Sequence, residues 1–190
     1  MLDNLTISNQ NHHALVRLID SLFQAHSKIM VVRVDLSYRK EIMGEISHEY
    51  IKQQVSAMLT NNSRHNALFE HLITYAWCLE YGTERQWHAH LFLFFDGQKV
   101  CRDIHYSLEI CRYWVDVMTQ GIGTGFSCNA KQDNYLINGI GMINRNDADK
   151  IQALKEATKY ICKQDLNIEQ GHWKDQGGKK IRTMFIGRIK

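Results

Sequence analysis

Apolar residues recur along this chain with two periods. Between His12 and His26, Leu15, Leu18, Ile19, Leu22 and Phe23 return every three or four positions, which predicts an amphipathic N-terminal helix over residues 12–26. Lys28 to Leu36 is a β-branched run and predicts a strand. Residues 47–59, opened by Ser47 two positions before Glu49, predict a second helix. Phe69–Tyr81 and Gln86–Phe95 predict two strands around a polar turn. Over residues 103–119, Leu108, Ile110, Cys111, Trp114, Val115 and Met118 predict a helix with Asp103 as its N-cap. Tyr135–Ile143 reads as an apolar, glycine-containing strand. Asp147 then caps a helix running to about Gln164, with Ile151, Leu154, Thr158 and Ile161 as its buried seam. A short strand near Arg182–Ile186 closes the order.

The order β-α-β-β-α-β-α-β predicts an α+β fold. Its mainly antiparallel sheet would have about five strands with flanking helices, in a ferredoxin-like split βαβ arrangement. No repeat, low-complexity segment or linker divides the chain, so residues 1–190 are expected to form one domain. The composition, 44% apolar and 23% charged over 190 residues, is that of an ordinary globular protein. The longest apolar run, Leu91 to Phe95, is too short to span a bilayer, and the first residues lack a signal-like pattern. A cytoplasmic location without a membrane partner is expected. Five cysteines with no C-x-x-C pair read as reduced thiols.

The net charge of +3 is unevenly spread. From Lys155 to Lys190, nine basic residues face four acids, so this segment carries +5. A basic end on a near-neutral body suggests a polyanionic partner, most simply nucleic acid.

The most informative stretch runs from Glu80 to Phe95. On a strand His88 and His90 point to one side, roughly 7 Å apart at Cα, while Trp87, Ala89, Leu91, Leu93 and Phe95 cover the other. With Phe92 and Phe94 keeping the histidine side apolar further on, this is a central strand. A turn over residues 82–86 centres the hairpin on Glu84, pairing 80 with 88, 78 with 90, 76 with 92 and 74 with 94. Glu80 thereby joins the two imidazoles on one face. Two imidazoles and a carboxylate leave open positions on a divalent ion, as a catalytic site requires. Glu84, at the turn tip, is the alternative third ligand. Ten histidines give about 0.5 His-x-His pairs by chance, so the pair gains its meaning from the strand and the facing acid.

In the later helix, Tyr160 and Lys163 are three residues apart and so neighbours on one surface, with Ala153 and Ala157 on the same stripe. Taken together, a strand with His-hydrophobe-His, an acid eight residues upstream and a later Tyr-x-x-Lys resemble the HUH endonuclease superfamily. More closely, Val31-Val-Arg-Val-Asp-Leu, Leu79-Glu-Tyr-Gly and His88-Ala-His-Leu-Phe-Leu-Phe-Phe are similar to the inovirus-type phage replication initiators and the YagK/YfjJ-type prophage proteins, over about residues 28–188.

The resemblance implies a nickase that starts rolling-circle replication of a phage or prophage element in a bacterial cell. It implies metal ligands at His88, His90 and Glu80, Mg²⁺ or Mn²⁺ as the ion, Tyr160 as nucleophile and Lys163 as its assistant. The product would be a 5′-phosphotyrosine and a free 3′-OH. Several phage initiators carry a second tyrosine one turn on, but position 164 is Gln, which makes this a single-tyrosine enzyme. Arg102, Arg112, Lys159, Lys174, Lys179, Lys180 and Arg182 are the candidates for gripping single-stranded or hairpin origin DNA.

No Walker pattern is present, because Gly178-Lys179 is followed by Lys180, so unwinding would come from a host helicase. Phe92 stands where a histidine-triad hydrolase needs its third histidine. Phe92 and Leu93 likewise exclude a metallo-β-lactamase pattern. Gly121–Gly125 follows a helix rather than a strand and reads as a flexible loop, not a dinucleotide fingerprint. Two alternatives remain, a non-catalytic DNA-binding prophage protein and a single-tyrosine transposase of the same chemistry.

Overall fold

The β-branched run becomes the strand around which the rest is organised. The computed structural model describes residues 7–60, 67–163, 174, 177–179 and 181–189. In chain order its main elements are α1 (Asn9–Ala25), β1 (Lys28–Tyr38), α2 (His48–Thr60), β2 (Leu72–Gly82), β3 (Gln86–Asp96), α3 (Asp103–Tyr113), β4 (Gly123–Ser127), β5 (Gly141–Asn144), α4 (Ala148–Ala157) and β6 (Met184–Ile186). The strands form one six-stranded sheet in the order β4-β1-β3-β2-β6, with β5 pairing β1 beside β4. Every pairing is antiparallel. β1 and β2 therefore run parallel on either side of β3 and are joined through α2, and β3 and β4 flank β1 in the same way through α3. This is the split βαβ expected of a ferredoxin-like α+β fold.

Alternation along the strands sorts the core into two faces. Met30, Val32, Val34 and Leu36 of β1, Trp77 and Leu79 of β2, and Trp87 to Phe95 of β3 at every second position meet Ile51, Val55 and Met58 of α2 and Ile110 of α3. The opposite face sets Ile29, Val31, Ala76, Phe92 and Phe94 against Leu15, Ile19 and Leu22 of α1 and Leu154 of α4. Ser8 caps α1, its hydroxyl accepting from Asn11 N–H.

Four local expectations are corrected. Asp103 is the first residue of α3 rather than its cap, which is Arg102 in the left-handed region at φ 67°. Glycines 123 and 125 lie in β4, not in a loop. α3 comes so close that a Cβ at Gly125 would sit 2.7 Å from Cys111 Cβ, so close packing dictates glycine where strand propensity disfavours it. The strand expected over Tyr135–Ile143 shrinks to β5, because Gly141 turns the chain at φ +83°. The helix expected to reach Gln164 ends at Ala157. Thr158 turns its hydroxyl back to the Lys155 carbonyl (2.8 Å), and bonds three residues apart tighten the chain into a 3₁₀ turn at Tyr160–Cys162. That turn is tied to the chain start by an Ile7–Lys163 bridge and a bond from Ser8 N–H to the Cys162 carbonyl (2.9 Å). Position 164 lies outside the described residues. Among the described residues, no helix is long and apolar enough to cross a membrane.

Candidate metal centre

Three strands converge on one polar spot at the end of the α1/α4 face. The hairpin register is the expected one, with Glu80 opposite His88 and Cys78 opposite His90, while β1 places Asp35 opposite His90 from the other side. Glu80, His88 and His90 bring one ligand atom each within 4.8 Å of one another, and both histidines are buried. Glu84 is exposed on the turn and does not join them.

The outer hydrogen bonds aim the imidazoles. His88 Nδ1 donates to the Gln86 carbonyl (2.8 Å) and His90 Nδ1 to Asp35 Oδ1 (2.7 Å), so in both rings Nε2 is the atom turned inward. Glu80 Oε2 stands 3.1 Å from His90 Nε2 and 3.9 Å from His88 Nε2. A carboxylate or carbonyl behind each ligand histidine is the arrangement that orients metal-binding imidazoles. Two nitrogens and one oxygen fit a divalent ion with coordination positions to spare.

The charges of the cluster are interlocked. Burial works to raise the Glu80 pKa, yet hydrogen bonds from His90 and Lys163 outweigh it and pull the carboxyl down to about 2. Burial also opposes protonation of His90, but Asp35 and Glu80 overturn it and raise its pKa, whereas burial and the neighbouring His90 charge lower that of His88. Protonation is thus favoured on His90, between two carboxylates, and disfavoured on His88.

Tyr160 and Lys163 meet this cluster. The Tyr160 ring lies 5.0 Å from the His90 ring, edge to face, and Lys163 Nζ is 2.5 Å from Glu80 Oε1 and 4.7 Å from the centre of the Tyr160 ring. Residues three apart eclipse in a 3₁₀ turn, so the corrected backbone stacks this pair rather than parting it. Burial raises the Tyr160 pKa, Glu80 adds to the rise, and Lys163 and Arg33 work against it. His88, His90, Asp35, Tyr160, Arg33 and Tyr135 line a cleft of about 670 Å³, with Glu84, Arg85 and Ala157 also on its wall.

Sequence reasoning missed Arg33, Asp35 and Tyr135. The first two stand two apart in β1, and a charged pair sharing one face of a central strand was the signal that could have found them. The expected DNA-gripping residues are scattered. Arg102 and Arg112 are exposed on α3, which packs on the other face of the sheet, and Arg112 is paired with Glu109. Lys159 is paired with Glu156 on the cleft wall. Lys174 and Lys179 are exposed, Arg182 donates to the Met184 carbonyl, and Lys180 lies outside the described residues.

No curated protein and no solved structure matches the chain. The YagK/YfjJ C-terminal domain family matches it over residues 7–163, and the chain belongs to that family.

Proposed function

We propose that this YagK/YfjJ-family chain is a metal-dependent nickase of the HUH kind. It would cut single-stranded or hairpin origin DNA through Tyr160 and so initiate rolling-circle replication of a phage or prophage element. The observation that carries the reading is the meeting of Tyr160 with the histidine pair, ring against ring at 5.0 Å in an open cleft.

A divalent ion, Mg²⁺ or Mn²⁺, held by Glu80, His88 and His90 would supply Lewis-acid polarisation of the scissile phosphate. Tyr160 provides the nucleophile. Its oxygen forms the new bond to phosphorus as the bond to the 3′ oxygen breaks. The phenol proton leaves and the 3′ oxygen gains one, so a phosphotyrosine and a 3′-OH replace one phosphodiester. Lys163 favours the phenolate by charge and holds Glu80 in line with the histidines. Asp35 keeps the His90 ring from turning. The free 3′-OH is a primer, and a host helicase would separate the strands.

The test is to incubate the protein with Mn²⁺ and single strands covering the element's origin region, then look for a denaturation-stable adduct. The expected result is an adduct mapped by mass spectrometry to Tyr160. An adduct that persists in Tyr160→Phe refutes the nucleophile, and specific binding without any adduct makes the chain a DNA-binding protein instead.

A further inference from the structure

Arg33 lines this cleft but takes no part in the strand-transfer chemistry described above. It projects from the centre of β1 and is only 7% exposed. A guanidinium is always charged and carries five N–H donors. Among the described residues, none of them makes a hydrogen bond to the protein, and the buried Nε is without a partner. Asp35 stands nearest, but its Oδ1 is 4.0 Å from Nε, beyond hydrogen-bond reach, and is already bound to His90 at 2.7 Å.

Three aromatic rings surround the guanidinium instead, with its carbon 4.7 Å from the Tyr160 ring centre, 5.3 Å from Tyr135 and 5.5 Å from Phe92. Such contacts recover part of the desolvation cost and fix the plane of the fork without occupying its donors. The backbone beneath is fixed as well. β5 pairs with β1 up to Val31 and β4 from Val34. In the gap between them Asn129 Oδ1 accepts from Arg33 N–H (2.8 Å), its Nδ2 donates to the Val31 carbonyl (3.0 Å), and Cys128 N–H bonds the Arg33 carbonyl (3.1 Å). This buried cation is held firmly and is ion-paired with Asp35 at 4.0 Å, yet makes no hydrogen bond to it, which leaves donors free for an anion in the cleft.

We infer that Arg33 binds a non-bridging oxygen of a DNA phosphodiester in the cleft, holding it against Tyr160. The inference rests on the nickase reading for its substrate class. The planar fork can give a phosphate two parallel bonds, where a lysine at this position would offer only a point charge. The exposed Phe126 and Leu136 on the wall of the same cleft add apolar surface for the sugar and base attached to that phosphate, the Phe126 ring as a stacking platform.

The test is binding, not cutting, so that it separates from the nickase reading. Labelled short oligothymidylate is titrated with the full chain in Mn²⁺, followed by anisotropy, for wild type, Arg33→Met and Arg33→Lys. Arg33→Met keeps the length and apolar contacts, and is expected to weaken binding about tenfold to a hundredfold while leaving the melting temperature equal or higher. Arg33→Lys is expected to fall between. Inorganic phosphate should compete with the strand less well against Arg33→Met than against wild type. A strand whose linkages are uncharged methylphosphonates should bind wild type and Arg33→Met alike. The inference is overturned if Arg33→Met binds oligothymidylate as wild type does, if phosphate competes equally in both, or if Arg33→Met melts lower while Arg33→Lys binds normally, which makes the cation structural. Arg33-dependent binding with no adduct on any DNA would sink the nickase and leave the phosphate site standing.

Discussion

The two faces of the sheet differ more than their shared strands suggest. The face under α2 and α3 is apolar from Leu36 to Met30 and from Trp87 to Phe95, covered along its length. The other face is apolar only at one end, where Phe92, Phe94 and Val31 lie under α1. It turns charged at the other, where Arg33, Asp35, Glu80, His88 and His90 collect within a few residues. Because neighbours along a strand point to opposite sides, one chain segment serves both ends of the comparison. Ala89 packs the core between two metal-ligand candidates. The polar cluster is confined to one end of one face, while both faces carry buried cores, so substitutions one position apart at that end, such as Ala89 and His90, should not act alike.

The sharpest break is Tyr160→Phe, which should abolish the covalent DNA adduct while changing stability by less than about 1 kcal/mol, checked by denaturing gel and thermal melting. On the opposite face Trp77, buried and stacked 4.1 Å from Phe185, should behave in reverse. Trp77→Ala is expected to cost about 3–5 kcal/mol in denaturant unfolding, with the folded fraction still binding Mn²⁺. Asp35→Asn removes the carboxylate behind His90 without emptying the ligand set, and should weaken Mn²⁺ binding about 10–100-fold by calorimetry. The smallest effect is pH-dependent. The His90 pKa is raised by Asp35 and Glu80, so protons compete with an ion for its Nε2 up to a higher pH than for a free imidazole. Mn²⁺ affinity should therefore climb as pH rises through and above the ordinary histidine value, by at most about tenfold per unit. In Asp35→Asn the climb should begin at lower pH. A flat profile would mean that His90 is not a ligand.

Much of this was legible in the chain. The Glu80–His88 facing followed from turn length alone, since a hairpin's register is a local property. The fold class followed from the sequence of periods. What escaped depended on contacts far apart in sequence. Asp35 and Arg33 acquire meaning only when β1 lies beside β3, 55 residues on in the case of the Asp35–His90 bond. β4 was hidden because its glycines answer to the helix above them, not to strand propensity. The early end of α4 was masked by Thr158, whose backward hydrogen bond is invisible to a periodicity count. Of the basic tail read as a DNA grip, Lys174 and Lys179 are exposed, and much of the rest, Lys180 included, lies outside the described residues.

The stitch between Ile7 and Lys163, with Ser8 fastened to Cys162, ties two residues ahead of α1 to the 3₁₀ turn that carries Tyr160. The position of Tyr160 against the imidazoles therefore leans on Ile7 and Ser8, more than 150 residues earlier in the chain. The geometry of the cleft is thus anchored in part by two residues that are not on its wall.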